Sequence, residues 1–331
     1  MRLHSIELVG EPLARFCALP GLGSLSPQSV QRHAPDDSLL LEQDGTASAR
    51  CSLWWRAVPA LPGERIGLLG HYAAVDIDAA TRILHEACER LRASGCTLAV
   101  GPIDGSTWRR YRLITWRGDE PAFFLEPDNP DDWPLHFTGV GFMPFANYFS
   151  ERCDDLEAYP ADTKLAARLH EAGYRARPIE MHRIQDELSL LWRISTESFS
   201  RNLLYTPITE VEFKETYAPL LSVVRPELVN IFEHHGEPVG FLFALPDMLQ
   251  AARGIPVDTV ILKTIGVLPA QQGRGLGNWM TDFTFVAARK LGFRRAIFAL
   301  IHETNVSRRL GRGQMRDIRR YTLFARHLGK V

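Results

Sequence analysis

Between Val267 and Gly277 the chain reads VLPAQQGRGLG. Glycines at 273, 275 and 277 let the backbone turn tightly and leave several N–H groups bare where a helix begins, and the helix dipole there favours an anion. Arg274 adds a fixed positive charge whose forked donors suit phosphate. The chemistry on offer is the cradling of a phosphate. Two well-known phosphate loops are excluded. A Walker loop needs GxxxxGK followed by Ser or Thr, and residue 278 is Asn with no lysine in the loop. The dinucleotide fingerprint GxGxxG would need glycine at 278, or at 280, which is Met.

The run Gln272-Gly273-Arg274-Gly275-Leu276-Gly277 resembles the cofactor loop of the GNAT acetyltransferases, written Q/R-x-x-G-x-G/A. Val267-x-Pro269 before it and Asn305 after the next strand are also similar to that family. The resemblance follows the order of elements from Tyr174 to Leu328 and is close from Thr259 to Ser307. It implies that the fourth and fifth strands splay apart around the pantetheine arm of acetyl-CoA or another acyl-CoA. Backbone contacts are then expected from Ile265 and Val267, the pyrophosphate is expected on Gln272, Gly273, Arg274, Gly275, Leu276 and Gly277, and Asn305 is expected near the pantetheine or thioester. The implied reaction is direct attack on the thioester by a primary amine of a small molecule or peptide, which needs a base and donors for the oxyanion.

The chain departs from the family where acid and base are usually found. Arg312 stands where many members carry a tyrosine, and Thr259 to Val267 contains no carboxylate, only Lys263 beside the neighbouring Asp258. His302 and Glu303, at the end of the fifth strand, are the replacements to nominate. Imidazole titrates near neutrality, and a carboxylate can act through a water. Either residue can equally be a polar strand end that caps the next turn. Arg312 is open to two readings, a solvated arginine or a partner for the leaving thiolate. The missing groups keep a second hypothesis in play, a non-catalytic acyl-CoA-binding sensor or scaffold.

The elements that must position this loop are legible from periodicity. Val260 to Val267 is an apolar strand, Leu276 to Leu291 a helix stopped by Gly292, and Arg295 to Ile301 a strand. Before them come a strand at Arg175 to Ile179, helices at Gln185 to Phe199 and Glu210 to Leu221, and a hairpin of Leu228 to Glu233 with Val239 to Leu245. Tyr321 to Leu328 closes this half. In the first half, Leu39 to Glu42, Ala47 to Ala57 and Arg65 to Val75 read as an antiparallel meander, followed by a helix from Asp78 to Ser94 and a strand from Thr97 to Val100. A closing strand is expected at Phe142 to Ser150, and the first thirty residues are weakly patterned.

Strand, helix and strand from Arg65 to Val100 repeat the order seen around the glycine loop. Where the loop should fall stands Asp76-Ile77-Asp78-Ala79-Ala80, with two carboxylates and no glycine, which would repel a pyrophosphate. The fold class expected is α/β (α+β), with two GNAT-like domains, each a mixed and mostly antiparallel sheet flanked by helices. Residues 1–157 would form the degenerate one and residues 158–331 the acyl-CoA-binding catalytic one. Trp108 and Arg109, and separately Arg201, Asn202 and Tyr205, are candidate substrate contacts on loops, or else solvated loops around a buried tryptophan.

Length and composition agree with two soluble domains: 331 residues, 45% apolar and 23% charged. Thirty-eight basic residues against 39 acidic ones give a formal charge of −1, so no global field favours nucleic acid or an acidic membrane. The one local excess runs from Arg308 to Lys330, either a solvated strand and loop or a contact for nucleotide phosphate. Five scattered cysteines without CxxC spacing indicate reduced thiols, with neither a disulfide framework nor a metal site. A cytoplasmic protein is expected, since the start lacks a signal-like core and nowhere do eighteen apolar residues run together.

Overall fold

The computed structural model describes residues 2–22, 24–310 and 313–329. Its strands, in chain order, are β1 (Arg2–Ser5), β2 (Asp37–Gln43), β3 (Thr46–Trp54), β4 (Ile66–Ala74), β5 (Leu98–Gly101), β6 (Leu113–Trp116) and β7 (Met143–Cys153). In the second half they are β8 (Tyr174–Pro178), β9 (Val229–His234), β10 (Glu237–Pro246), β11 (Thr259–Val267), β12 (Arg295–His302) and β13 (Met315–His327). The helices are α1 (Gly10–Ala18), α2 (Pro27–His33), α3 (Ile77–Ala93), α4 (Trp133–Gly139), α5 (Thr163–Glu171), α6 (Ile184–Ser198), α7 (Glu210–Tyr217), α8 (Met248–Ala252) and α9 (Leu276–Lys290).

Two helices repeat one role, each crossing between parallel strands. In α3 the residues Ala80, Ile83, Leu84, Ala87 and Leu91 are buried at helical spacing, and Gly95 at φ +84 ends the helix. In α9 Leu276, Met280 and Phe285 are closed off beneath the second half, and Gly292 at φ +89 plays the same terminating part. Each large side chain so buried contributes roughly 1.5–3 kcal/mol. The first thirty residues, unpatterned in sequence, form β1, α1 and α2. Leu13, Phe16 and Val30 bury a small core of their own there against Leu40.

The strands join in one sheet, in the order β1-β2-β3-β4-β5-β13-β7-β12-β11-β10-β9-β8, with β6 added to β13. The closing strands are therefore exchanged. β7, from the first half, pairs with β12 from Ala296↔Cys153 to His302↔Tyr148. β13, from the second half, pairs with β5 from Phe324↔Gly101 to His327↔Leu98. The expected closing strand at Tyr321 to Leu328 is thus longer, starts at Met315, and completes the other half's sheet. β7 and β13 lie side by side at the centre, so neither half has its full sheet without the other.

The centre carries an ion pair that is almost fully buried. Arg319 Nε lies 3.0 Å from Glu126 Oε1, and Tyr321 donates to the same oxygen at 2.5 Å. Burial pushes the Glu126 carboxyl up, opposed by Tyr321 and Arg319. Two more of the described basic run are answered locally: Arg308 by Asp317 and Glu151, Arg316 by Asp154 and Glu120. These bonds give Arg308 and Arg316 a structural use. All five cysteines are free thiols. Among the described residues no helix is long and apolar enough to cross a membrane, and no cluster of His, Cys, Asp and Glu could hold a metal ion.

Candidate active site

The parallel pair β11 and β12 forms a fork. It is in register from Thr259↔Arg295 to Leu262↔Phe298 and then stops, although β11 continues to Val267 and β12 to His302. Both strands are irregular at the branching point. The register of β10 and β11 shifts between Phe243 and Ala244, whose partners are Thr264 and Leu262, so Lys263 is the unpaired extra residue. On β12 the register with β7 shifts between Phe298 and Ile301, and Leu300 takes φ +63 with its N–H donating to Ser150 Oγ at 3.2 Å. Ile265 and Val267 lie on the diverging arm of β11.

At the open end of the fork sits the glycine loop. Gly273 and Gly275 take φ +78 and +87, which a side chain tolerates poorly. Gly275 is the N-cap of α9, and among the described residues no side chain caps that helix, whose start is therefore the kind that favours an anion. A Cβ at Gly275 would come within 3.0 Å of Leu165, and one at Gly277 within 3.3 Å of Leu310. Arg274 is exposed, with Nη1 3.5 Å from the Tyr174 hydroxyl, and that hydroxyl donates to Gln271 at 2.6 Å. Gln272 donates to the Val267 carbonyl at 3.2 Å, tying the loop to the arm of the fork. Asn305 uses its side-chain oxygen to cap the next turn at Ser307 N, 2.9 Å away.

A second cation stands here that the loop sequence did not disclose. A Cβ at Gly275 would lie 3.7 Å from Arg168 Nη2, on the last turn of α5. Only the packing of α5 against the loop reveals it. A bare helix N-terminus flanked by two guanidinium groups is suited to a pyrophosphate.

At the end of the β12 arm, His302 lies edge-on to Tyr148, ring centroids 5.0 Å apart. Its Nδ1 accepts from Thr304 N at 3.2 Å and sits 2.9 Å from the Thr304 hydroxyl. The neutral ring therefore carries its proton on Nε2. Burial lowers the His302 pKa, Glu303 raises it and Arg112 lowers it further. The Glu303 carboxylate binds Asn147 with both oxygens, 3.1 Å to N and 3.2 Å to Nδ2, which fixes β12 to β7. Arg312 lies outside the described residues.

The first half reaches into this end. Arg112 is buried at φ +66, with its guanidinium 4.0 Å from the ring centre of Tyr111 and 4.1 Å from that of Tyr148. Nη1 donates to the Tyr111 hydroxyl at 2.7 Å, while the buried Nε has no partner among the described residues. The other loop candidates join the halves. Trp108 donates to the Thr206 carbonyl at 2.8 Å and packs edge-on to Tyr205, and Arg109 grips Glu212 at 2.8 and 2.9 Å. Tyr205 donates to the Thr196 carbonyl at 3.1 Å, and Arg201 and Asn202 are exposed on that loop.

A fork with a glycine loop at its mouth is an architecture that known proteins can be compared with, and residues 188–310 match the family model described as Acetyltransferase (GNAT) family. This chain carries a GNAT acetyltransferase domain. It is 28% identical over 269 residues to a bacterial ceramide synthase from Caulobacter vibrioides, a match covering 73% of this chain and 70% of that protein. Among solved structures it is similar to a GCN5-related N-acetyltransferase from Anabaena variabilis, with a TM-score of 0.60, 7% identity, and coverage of 99% of this chain and 73% of that one. It is also similar to a tandem GNAT protein from the clavulanic acid biosynthesis pathway, with a TM-score of 0.51, 13% identity, and coverage of 100% and 99%. Identities this low speak for architecture alone. In fold the whole chain is similar to that tandem protein, and the segment that matches the family model lies in the second half.

Proposed function

We propose that the protein is an acyl-CoA-dependent N-acyltransferase whose cofactor lies in the fork of the second GNAT domain, between β11 and β12. As units of sequence we divide the chain at 157/158, with the exchanged strands making the two units interdependent. The observation that carries the reading is the uncapped start of α9 at the mouth of the fork, with Gly275 at a position that a side chain would fill. Bound there, the acyl-CoA supplies an activated thioester. Gln272, Gly273, Arg274, Gly275, Leu276 and Gly277, with Arg168, would hold its pyrophosphate, the backbone of Ile265 and Val267 would line its arm, and Asn305 would lie beside it. His302 would present Nε2–H as a donor to charge developing at the thioester. Glu303 would keep β7 in place.

The acceptor we propose is a primary amine. A ceramide is the amide of a fatty acid with a sphingoid amine, so the Caulobacter relative puts long acyl chains and long-chain amines first in the screen, ahead of acetyl-CoA with peptide amines. Calorimetric titration with acetyl-CoA and longer acyl-CoAs, on the native chain and on Gly275→Glu, is the test. The native chain should bind, and the variant should lose at least about a hundredfold in affinity, because a carboxylate would occupy the phosphate site. No binding by the native chain overturns the proposal. Binding without release of free CoA on adding any amine would favour a non-catalytic acyl-CoA sensor.

A further inference from the structure

The second GNAT domain lacks a carboxylate on β11, and the proton leaving the attacking amine needs an acceptor. His302 is a poor one, because its Nδ1 lone pair already receives the Thr304 N–H. Both oxygens of Glu303 are held by Asn147. Glu126 is sealed against Arg319 and Tyr321. Lys263 is differently placed. It is the first residue of β11 past the last β11–β12 pair, it bulges out of the ladder with β10, and it is half-buried at the vertex of the fork.

The charge that bears on Lys263 comes from the other half of the chain. Arg112 is clamped between Tyr111 and Tyr148, and among the described residues no carboxylate pairs with it. Tyr148 also carries the His302 ring, so Arg112 and His302 share one tyrosine. Resting on the acyltransferase reading, we propose that Lys263, in the bulge at the vertex of the fork, is the general base of the amine attack and that Arg112, supplied by the first half, is its positioning residue. Burial and then the Arg112 charge bring the Lys263 pKa down to about 8, where a useful fraction is neutral near physiological pH. As the amine nitrogen bonds to the thioester carbon, the Lys263 nitrogen takes the proton that nitrogen sheds. The C–S bond breaks, and the Lys263 ammonium returns the proton to the departing thiolate, giving amide and free CoA.

The chain has five lysines, so selective ¹³Cε-lysine labelling gives a spectrum in which each can be followed. One signal should titrate near pH 8 and vanish in Lys263→Arg. In Arg112→Gln that signal should titrate about one pH unit higher, because a like charge beside it has been removed. A Lys263 signal that titrates like the other four overturns the proposal, whatever the activity. In turnover assays Lys263→Met should lose roughly 100-fold or more in kcat while still binding acyl-CoA. Arg112→Gln should shift the acidic limb of kcat/KM upward and recover at high pH. Full activity in Lys263→Met sinks the base assignment and leaves the acyltransferase reading standing. Absence of acyl-CoA binding by the native chain removes that reading instead.

Discussion

The two halves of the chain fold along the same path and treat their forks in opposite ways. In the first half β4 and β5 are parallel from Ile66↔Leu98 to Leu68↔Val100 and then part, as β11 and β12 do. There the chain fills its own gap. Ile103 N donates to the Leu69 carbonyl at 2.7 Å, and the Asp104 carboxylate accepts from His71 N at 2.6 Å. Among the described residues, no strand pairs with β11 beyond Leu262 on its β12 side. The helix starts differ in the same sense. Asp76 caps α3 by accepting from Ala79 N at 2.8 Å, with Asp78 in the first turn, whereas α9 starts bare at Gly275. A fork is closed structurally when the chain satisfies, with its own atoms, the backbone groups that the parting strands leave free.

The largest effect should come from forcing the filled fork open. A Cβ at Gly70 would lie 2.1 Å from the Ile103 carbonyl oxygen, a backbone atom that cannot swing aside. Gly70→Ala should therefore destabilise the first half by about 3 kcal/mol or more, read as a lowered denaturant midpoint. In the second half, Gly273→Ala meets nothing within 4 Å and pays only for its φ of +78, about 1 kcal/mol. Equal costs at the two positions would show that residues 102–104 are not packed into the fork.

Acid should separate the halves next. Beside the filled fork, His71 bonds Ser52 Oγ at 2.9 Å and His33 Nδ1 at 2.8 Å, and both histidines are lowered to about 3, chiefly by burial. Above pH 6.5 neither the folded nor the unfolded chain protonates them. Between 6.5 and about 3 only the unfolded chain does, so stability falls as pH drops through that window. A tenfold change in proton affinity is worth about 1.4 kcal/mol, so almost fully buried His71 alone should remove a few kcal/mol. His71→Asn, which tolerates the local φ of +47, should flatten the dependence of the denaturation midpoint between pH 6.5 and 4. An unchanged slope would sink this account.

The same contrast shows what could be read in advance. The glycine loop, the order of strands and the two carboxylates at the start of α3 were legible, because helix starts and glycine turns are local chemistry. The exchange of β7 and β13 was not, since alternation along a strand records that a face is buried and not which neighbour it pairs with. Nothing in the sequence after the strand at Thr97 to Val100 hinted that Ile103 and Asp104 fill a fork. Trp108 and Arg109 drew notice for their chemistry and proved to join the halves, while Arg112, three residues on, is clamped between Tyr111 and Tyr148. Lys263 was visible only as a missing carboxylate, because its position in a bulge depends on how β10 and β11 pair.

The smallest effects should come from the two helix starts, and they should be mirror images. Asp76→Ala removes the cap of α3 and frees the Ala79 N–H, which should cost about 1 kcal/mol of stability. It should leave acyl-CoA affinity unchanged, because nothing binds at that helix but its own carboxylate. Arg168→Ala removes an exposed guanidinium beside the start of α9, where no cap is lost. Its cost should appear as a several-fold weaker Kd for acyl-CoA, larger at low salt because the contact is charge on charge near solvent, with the denaturation midpoint unmoved. If Asp76→Ala weakened acyl-CoA binding, or Arg168→Ala destabilised the fold without touching affinity, the division into a self-capped helix and a ligand-capped one would fail.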